Sequence, residues 1–304
     1  MLIQSLEEPE AARRGIRLLL LRDDLAHPEL PGNKWRKLKY NLTEAQRLGH
    51  HTLLTFGGAF SNHIAAVAAA GRLTGLRTIG CIRGEETKPL NPTLAQATAD
   101  GMQLRYLDRE TYHHKQEPAF LAELLRETGP VYLIPEGGSN PLALPGCAEL
   151  VTELTTETDF NYLCVACGTG GTLAGLLTGL APHQQAVGVA ALKNGRFLRS
   201  DIDALTQAGT GRTYSNYDLR TEYHLGGYAR FSPELLSFIQ QFQARHGVLL
   251  DPIYTGKLLF GVLDLLRQDY FAPGSTVVAV HTGGLQGWSG FRQRFEYRNA
   301  WWPA

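Results

Sequence analysis

The chain has 304 residues, 43% of them hydrophobic and 19% charged, enough apolar material for a packed core and too much for a disordered segment. Lysine plus arginine equals aspartate plus glutamate at 29 each, which gives no support for a nucleic-acid or membrane-surface partner. No apolar run approaches a membrane span and no basic-then-apolar leader opens the chain, so the expected compartment is the cytoplasm.

The first helix opens at Gly32-Asn33-Lys34-Trp35-Arg36-Lys37-Leu38-Lys39-Tyr40, with Asn33 as its N-cap and Gly49 as its stop. At about 100° per residue, Leu38, Leu42, Ala45 and Leu48 share a face with Lys34, whereas Arg36, Lys39 and Arg47 fall opposite, as solvated charges should. A lysine within an apolar stripe is unusual. Burial, neighbouring cations and the positive helix end all lower an amine's pKa and make it a better nucleophile toward a carbonyl. The alternative is a lysine that snorkels from a helix end.

Strands and helices then alternate. Leu53–Phe56, Arg77–Ile82, Gln103–Leu107 and Val131–Ile134 read as strands, and Ile64–Leu73, Pro92–Asp100, Ala119–Glu127 and Leu142–Leu154 as helices. Tyr162–Ala166 and Thr276–Val280 are short apolar runs expected as buried strands, and Leu173–Leu180 is a helix. The alternation predicts an α/β protein with parallel sheets covered on both faces. The expected division is a small α/β domain over residues 48–150 and a large domain from residues 1–47 plus 151–304.

Ligands of open parallel sheets sit at the carboxyl ends of strands, so the turns there matter most. Gly57-Gly58-Ala59-Phe60-Ser61-Asn62-His63 links a strand to an alanine-rich helix. Its free N–H groups suit an amino-acid carboxylate, or Ser61 and Asn62 simply cap the helix. In Gly168-Thr169-Gly170-Gly171-Thr172 the glycines let amides converge on a phosphate. Leu173 occupies the last glycine position of a dinucleotide fingerprint and no Gly-Lys-Ser/Thr follows, so a compact phosphate monoester fits better than a pyrophosphate; a merely tight turn is the alternative. Asp251-Pro252-Ile253-Tyr254-Thr255-Gly256-Lys257, His281-Thr282-Gly283-Gly284 and Glu136–Asn140 are weaker signals taken singly. Four cysteines are too few for a disulfide framework, and the Cys164–Cys167 pair lacks the further ligands zinc needs, so no metal is expected.

Taken together, Gly32-Asn33-Lys34-x-Arg36-Lys37-Leu38, Gly57-Gly58-x-x-Ser61-Asn62-His63 and Asp251-Pro252-x-Tyr254-Thr255-Gly256-Lys257 resemble the pyridoxal-phosphate (PLP) dependent family of D-cysteine desulfhydrase and 1-aminocyclopropane-1-carboxylate (ACC) deaminase. The likeness runs from about Arg22-Asp23-Asp24-Leu25 to Gly284. It implies the tryptophan-synthase-β-like fold (type II), two open parallel-sheet α/β domains with PLP between them, and a homodimer. By position, Lys34 looks like the Schiff-base lysine and Lys37 like a neighbour of the phosphate, with Gly168, Thr169, Gly170, Gly171 and Thr172 as the phosphate cradle. Ser61 resembles the active-site serine and Asn62 the residue beside the ring hydroxyl; the amides of Ser61, Asn62 and His63 would hold the substrate carboxylate. Tyr254 and Tyr228 match substrate-side tyrosines, and Thr255, with Thr282 nearby, the partner of the pyridine nitrogen. The sequence departs from the family at Leu144-Pro145-Gly146-Cys147, where a glycine-tyrosine pair is usual, and at Leu285-Gln286-Gly287-Trp288, where a proline-alanine pair is usual. These departures bear on the substrate more than on the cofactor.

A carboxylate beside the pyridine nitrogen would hold it protonated, whereas a neutral threonine hydroxyl gives a weaker electron sink. ACC deaminases resemble one another in carrying glutamate at the Thr255 position, and D-cysteine desulfhydrases in carrying threonine. The expected reaction is therefore β-elimination from a small amino acid, D-cysteine to pyruvate, ammonia and sulfide. The alternatives are ACC deamination, a hydrolase reaction giving 2-oxobutyrate and ammonia, and a PLP- or phospholigand-binding protein without catalysis.

Overall fold

The structure, a computed structural model, describes residues 1–30 and 32–295, the last four by their backbone. Its strands are β1 (Ile3–Ser5), β2 (Arg17–Leu21), β3 (Thr52–Gly58), β4 (Arg77–Arg83), β5 (Met102–Leu107), β6 (Tyr132–Ile134), β7 (Tyr162–Cys167), β8 (Gln185–Ala190), β9 (Tyr217–Arg220) and β10 (Thr276–Val280). They fall into two compact units. The first joins Met1–Lys37 to Asn140–Leu285, and the second joins Leu38–Ser139 to the segment from Gln286.

In the first unit the sheet order is β1-β2-β10-β7-β8-β9, with β1 antiparallel to β2 and the remaining pairs parallel. Val278 lies opposite Leu19 on one side and Leu163 on the other. β10 is buried along its whole length, and β2, β7 and β8 at every position but the first. Such uninterrupted apolar runs are what a parallel sheet covered on both faces requires. Leu21, Leu163, Val165, Leu176 and Val280 form part of its core. Each such side chain, fully buried, contributes about 2 kcal/mol.

The second unit carries the parallel sheet β5-β4-β3-β6, whose core includes Leu54, Phe56, Leu107 and Leu124. Its helices Asn62–Thr74, Pro92–Ala99 and Pro118–Thr128 lie where the apolar spacing predicts them. The same spacing predicts none of β1, β2, β8 or β9, which are short or lie at or near the edges of the first unit's sheet.

The division between units does not follow the expected boundaries. Leu38–Arg47 goes with the second unit, where Asn41 Oδ1 accepts the Tyr132 hydroxyl at 3.3 Å. Helix Ala143–Glu157 goes wholly with the first, because it packs on helix Gly171–Gly179: a Cβ on Gly175 would stand 2.4 Å from that of Cys147. The segment from Gln286 goes with the second, its Gly290 seated on the ring of Phe60. Residues 296–304, expected in the large domain, lie outside the described residues. No helix among the described residues is long and apolar enough to cross a membrane.

Candidate functional site

In the first unit all strands except β1 run one way, so the loops after β2, β7, β8, β9 and β10 share the carboxyl edge. The lysine helix, Asn33–Arg47, starts beside the loop after β10. Gly32 has φ +65°, and a Cβ there would stand 2.2 Å from the Thr282 carbonyl oxygen, so only glycine fits this turn. Asn33 is the first helical residue and not the expected N-cap. Its amide donates to Thr172 Oγ1 at 2.9 Å, and its Oδ1 accepts from Lys34 Nζ at 3.2 Å. One side chain thus ties the lysine to the glycine-rich turn.

Burial holds the Lys34 amine well below the ordinary value of 10.5, with the charge of Lys37 acting in the same direction. Lys37 is itself buried and lowered by desolvation to about 8. Arg36 departs from expectation. It is buried, donating from Nε to Asp23 Oδ1 at 2.8 Å and from its two terminal nitrogens to Glu153 at 3.1 and 2.8 Å. The wheel of one helix cannot show that helix Ala143–Glu157 covers that side: a Cβ on Gly146 would stand 2.0 Å from the Arg36 carbonyl oxygen. Burial pushes the Asp23 carboxyl up, and its Oδ2 has no partner among the described residues.

The glycine-rich turn Gly168–Gly170 follows β7 and opens helix Gly171–Gly179. The first bond into that helix runs from Ala174 N–H to Gly170 O, so the N–H groups of Gly171, Thr172 and Leu173 have no intrahelical acceptor. They point out of a helix start and suit an anion. Gly168 faces Tyr254, whose ring and hydroxyl would be 3.0 and 3.1 Å from a Cβ placed there. Tyr228 packs edge-on to Tyr254, ring centroids 6.2 Å apart.

Thr255 is fully buried and its hydroxyl is committed. It donates to Asp251 Oδ2 at 2.6 Å and accepts the Asp251 N–H at 2.8 Å. The remaining lone pairs of Asp251 take the N–H groups of Ile253, Tyr254 and Thr255. Asp251 therefore builds the turn that presents Tyr254, and Thr255 cannot donate to a ring nitrogen without releasing it. The Thr282 hydroxyl, in contrast, has no hydrogen-bond partner among the described residues. His281 is fully buried beside it. Its Nε2 faces the Leu249 carbonyl at 2.9 Å and so carries the proton, leaving Nδ1 to accept Gly283 N–H at 3.2 Å. Asp251 and His281 escape sequence reasoning because their work is backbone capping inside a loop; their placement within the two short motifs was the available signal.

In the second unit, Ser61 caps helix Asn62–Thr74. Its Oγ accepts the N–H groups of His63 at 3.2 Å and Ile64 at 3.3 Å, and its own N–H bonds to Gly58 O. Of the three amides expected to hold a carboxylate, only that of Asn62 has no bond to another of the described residues. The Ser61 hydroxyl proton has no acceptor among the described residues, and Asn62 Oδ1 is buried without a partner. The His63 ring turns inward. Thr55 Oγ1 donates to Ile134 O at 2.8 Å, so it accepts from His63 Nε2, also at 2.8 Å.

Cys164 and Cys167 lie buried in β7, where desolvation pushes both thiols up, Cys167 to about 12. Among the described residues no group of three or more His, Cys, Asp and Glu side chains is arranged to hold a metal.

Residues 5–283 match the family described as pyridoxal-phosphate dependent enzymes. The chain belongs to that family. A candidate ACC deaminase of Pyrococcus horikoshii is 33% identical over 90% of this chain and 86% of its own length. A D-cysteine desulfhydrase of Klebsiella pneumoniae is 29% identical over 89% and 87%. The crystal structure of an ACC deaminase homologue superposes with a TM-score of 0.84 at 31% identity, covering 96% of this chain and 91% of that one. This member of the PLP-dependent family has the type II fold and is a PLP-dependent lyase or deaminase.

The residues present suit the cofactor. Among the described residues the first unit offers a low-pKa amine, a row of helix N–H groups without an intrahelical acceptor for a phosphate, and a Thr282 hydroxyl without a partner; the second unit offers the unpartnered Asn62 Oδ1.

Proposed function

We propose that this chain catalyses β-elimination from a small amino acid, with D-cysteine the leading substrate, releasing sulfide and, with the uptake of one water, pyruvate and ammonia. The observation that carries the reading is the Lys34–Asn33–Thr172 connection, which joins a desolvated amine to a glycine-rich helix start. Lys34 would hold PLP through its aldehyde carbon, the amides of Gly171 to Leu173 and Thr172 would receive the phosphate with Lys37 adding charge, and Asn62 Oδ1 would accept the ring hydroxyl. When bound, PLP supplies an electron sink for the Cα–H bond pair.

The protein's own part follows from its donors and acceptors. The Ser61 hydroxyl and the Asn62 amide orient the carboxylate. Lys34, as a neutral amine, would take the Cα proton of the bound substrate, which its depressed pKa permits. Tyr254, backed by Tyr228, protonates the departing thiolate at Cβ. Thr282, and not Thr255, is the hydroxyl available to the ring nitrogen. Asp251 is saturated by its own turn, so the donor to the ring would be the neutral Thr282 hydroxyl, as suits expulsion of a good leaving group.

Purified protein incubated with D-cysteine should yield sulfide and pyruvate in equal amounts; neither product appearing sinks this substrate. ACC deamination is the second reading, favoured by the names of relatives at 31–33% identity, and it is recognised by 2-oxobutyrate from ACC. The reading extends to a cytoplasmic homodimer, which light scattering tests as twice the chain mass.

A further inference from the structure

Lys257 closes the Asp251–Lys257 motif and has no part in the scheme above. It is the third residue of helix Thr255–Arg267 and is fully buried. Its Nζ donates to Gly227 O at 2.7 Å and to Ala191 O at 3.3 Å, and among the described residues it has no ion pair. A buried ammonium at the positive end of a helix, hydrogen-bonded to carbonyls and with only the charge of Asp251 offsetting its burial, is electrostatically costly, and desolvation lowers its pKa to about 8. A packed aliphatic side chain would avoid that cost, so the donors themselves need a reason.

The reason lies in what the two carbonyls belong to. Leu225, Gly226, Gly227 and Ala229 have φ of 46°, 99°, 106° and 51°, so the turn around Tyr228 is left-handed at four positions, two of them not glycine. Such backbone persists only where its surroundings hold it. Within the turn, Gly227 O also accepts Arg230 N–H at 3.1 Å. Ala191 follows β8 and donates its own N–H to Cys167 O at the end of β7. Lys257 therefore fastens the strained turn to a point that is itself fastened to the sheet.

We propose that Lys257 is a positioning residue, its ammonium clamping the Gly227 and Ala191 carbonyls so that Tyr228 is held against Tyr254. The proposal rests on the reading of Tyr228 as a substrate-side group. The test uses PLP-loaded enzyme carrying Lys257→Met, which removes the donors and keeps an unbranched side chain, and Lys257→Gln, which keeps one donor and guards against a Met variant that does not fold.

Hydrogen exchange at the Arg230 amide should quicken about tenfold in the Met variant and less in the Gln variant, with peptides of β7 and β10 unchanged. kcat for sulfide release should fall about tenfold with KM within about twofold, since a small misplacement of a reacting group costs rate more than binding. Adding Tyr228→Phe to Lys257→Met should lower kcat no further than about twofold beyond the worse single variant. Unchanged exchange at Arg230 overturns the clamp, and fully multiplicative effects overturn its action through Tyr228. A silent Tyr228→Phe with quickened exchange instead removes the substrate-side role of Tyr228 and leaves the clamp standing.

Discussion

At the scale of single residues, the proposed chemistry turns on Lys34 and on the Thr282 hydroxyl. Lys34→Ala is expected to abolish covalent cofactor retention: borohydride reduction followed by mass spectrometry should label the Lys34 peptide in the wild type and no peptide in the variant. Thr282→Val should lower kcat about tenfold while leaving thermal stability nearly unchanged, because that hydroxyl has no partner among the described residues to lose. Thr255→Val should do the reverse, removing two buried hydrogen bonds to Asp251 and costing about 2 kcal/mol in urea denaturation. Arg36→Met strands the buried Asp23 carboxylate and should cost about 3 kcal/mol, most of it recovered when Asp23→Leu is added. The unusual placement of Lys34 was legible from helical spacing alone. The burial of Arg36 was not, since a helical wheel assigns faces without knowing that a second helix will cover the polar one.

At the scale of elements, close approach governs where the site residues stand. The lysine helix is pressed between the loop after β10, at Gly32, and helix Ala143–Glu157, at Gly146. Gly32→Ala sets a Cβ against a backbone carbonyl at a left-handed φ, and is expected to cost at least ~3 kcal/mol and to weaken PLP binding, measured by urea denaturation and by the cofactor's absorbance. The turn after β3 teaches a different lesson. Its polar run Ser61-Asn62-His63 suggested three amides aimed at a carboxylate. Helix capping takes one, a turn bond takes another, and the His63 ring closes onto Thr55. A helix start must satisfy its own N–H groups first, and only the remainder serves a ligand.

For the whole molecule, two α/β units each fold around a parallel sheet, and pH and ligand act on the sum. The folded-state pKa of Lys257 is about 8 against an ordinary 10.5, so between those values the unfolded chain binds the extra proton and stability at this residue rises with pH. Relative to Lys257→Met, the wild-type apoenzyme should therefore gain up to ~3 kcal/mol as pH is raised from about 8 to 10.5, read from urea midpoints at each pH. A flat difference across that range would contradict the desolvated ammonium. Residue type and spacing by themselves determined the α/β class, the lysine helix and the glycine turn after β7, because apolar periodicity and short glycine-rich turns are local properties of a chain; the cofactor came from the resemblance of three motifs to a known family. Tertiary structure alone decided which polar atoms remain available. Thr255 is taken by Asp251, Thr282 is left open, Arg36 is buried in an ion pair, and Lys257 holds a turn thirty residues away. A hydrogen bond is a claim on a particular donor by a particular acceptor, and distant segments settle those claims only when they meet.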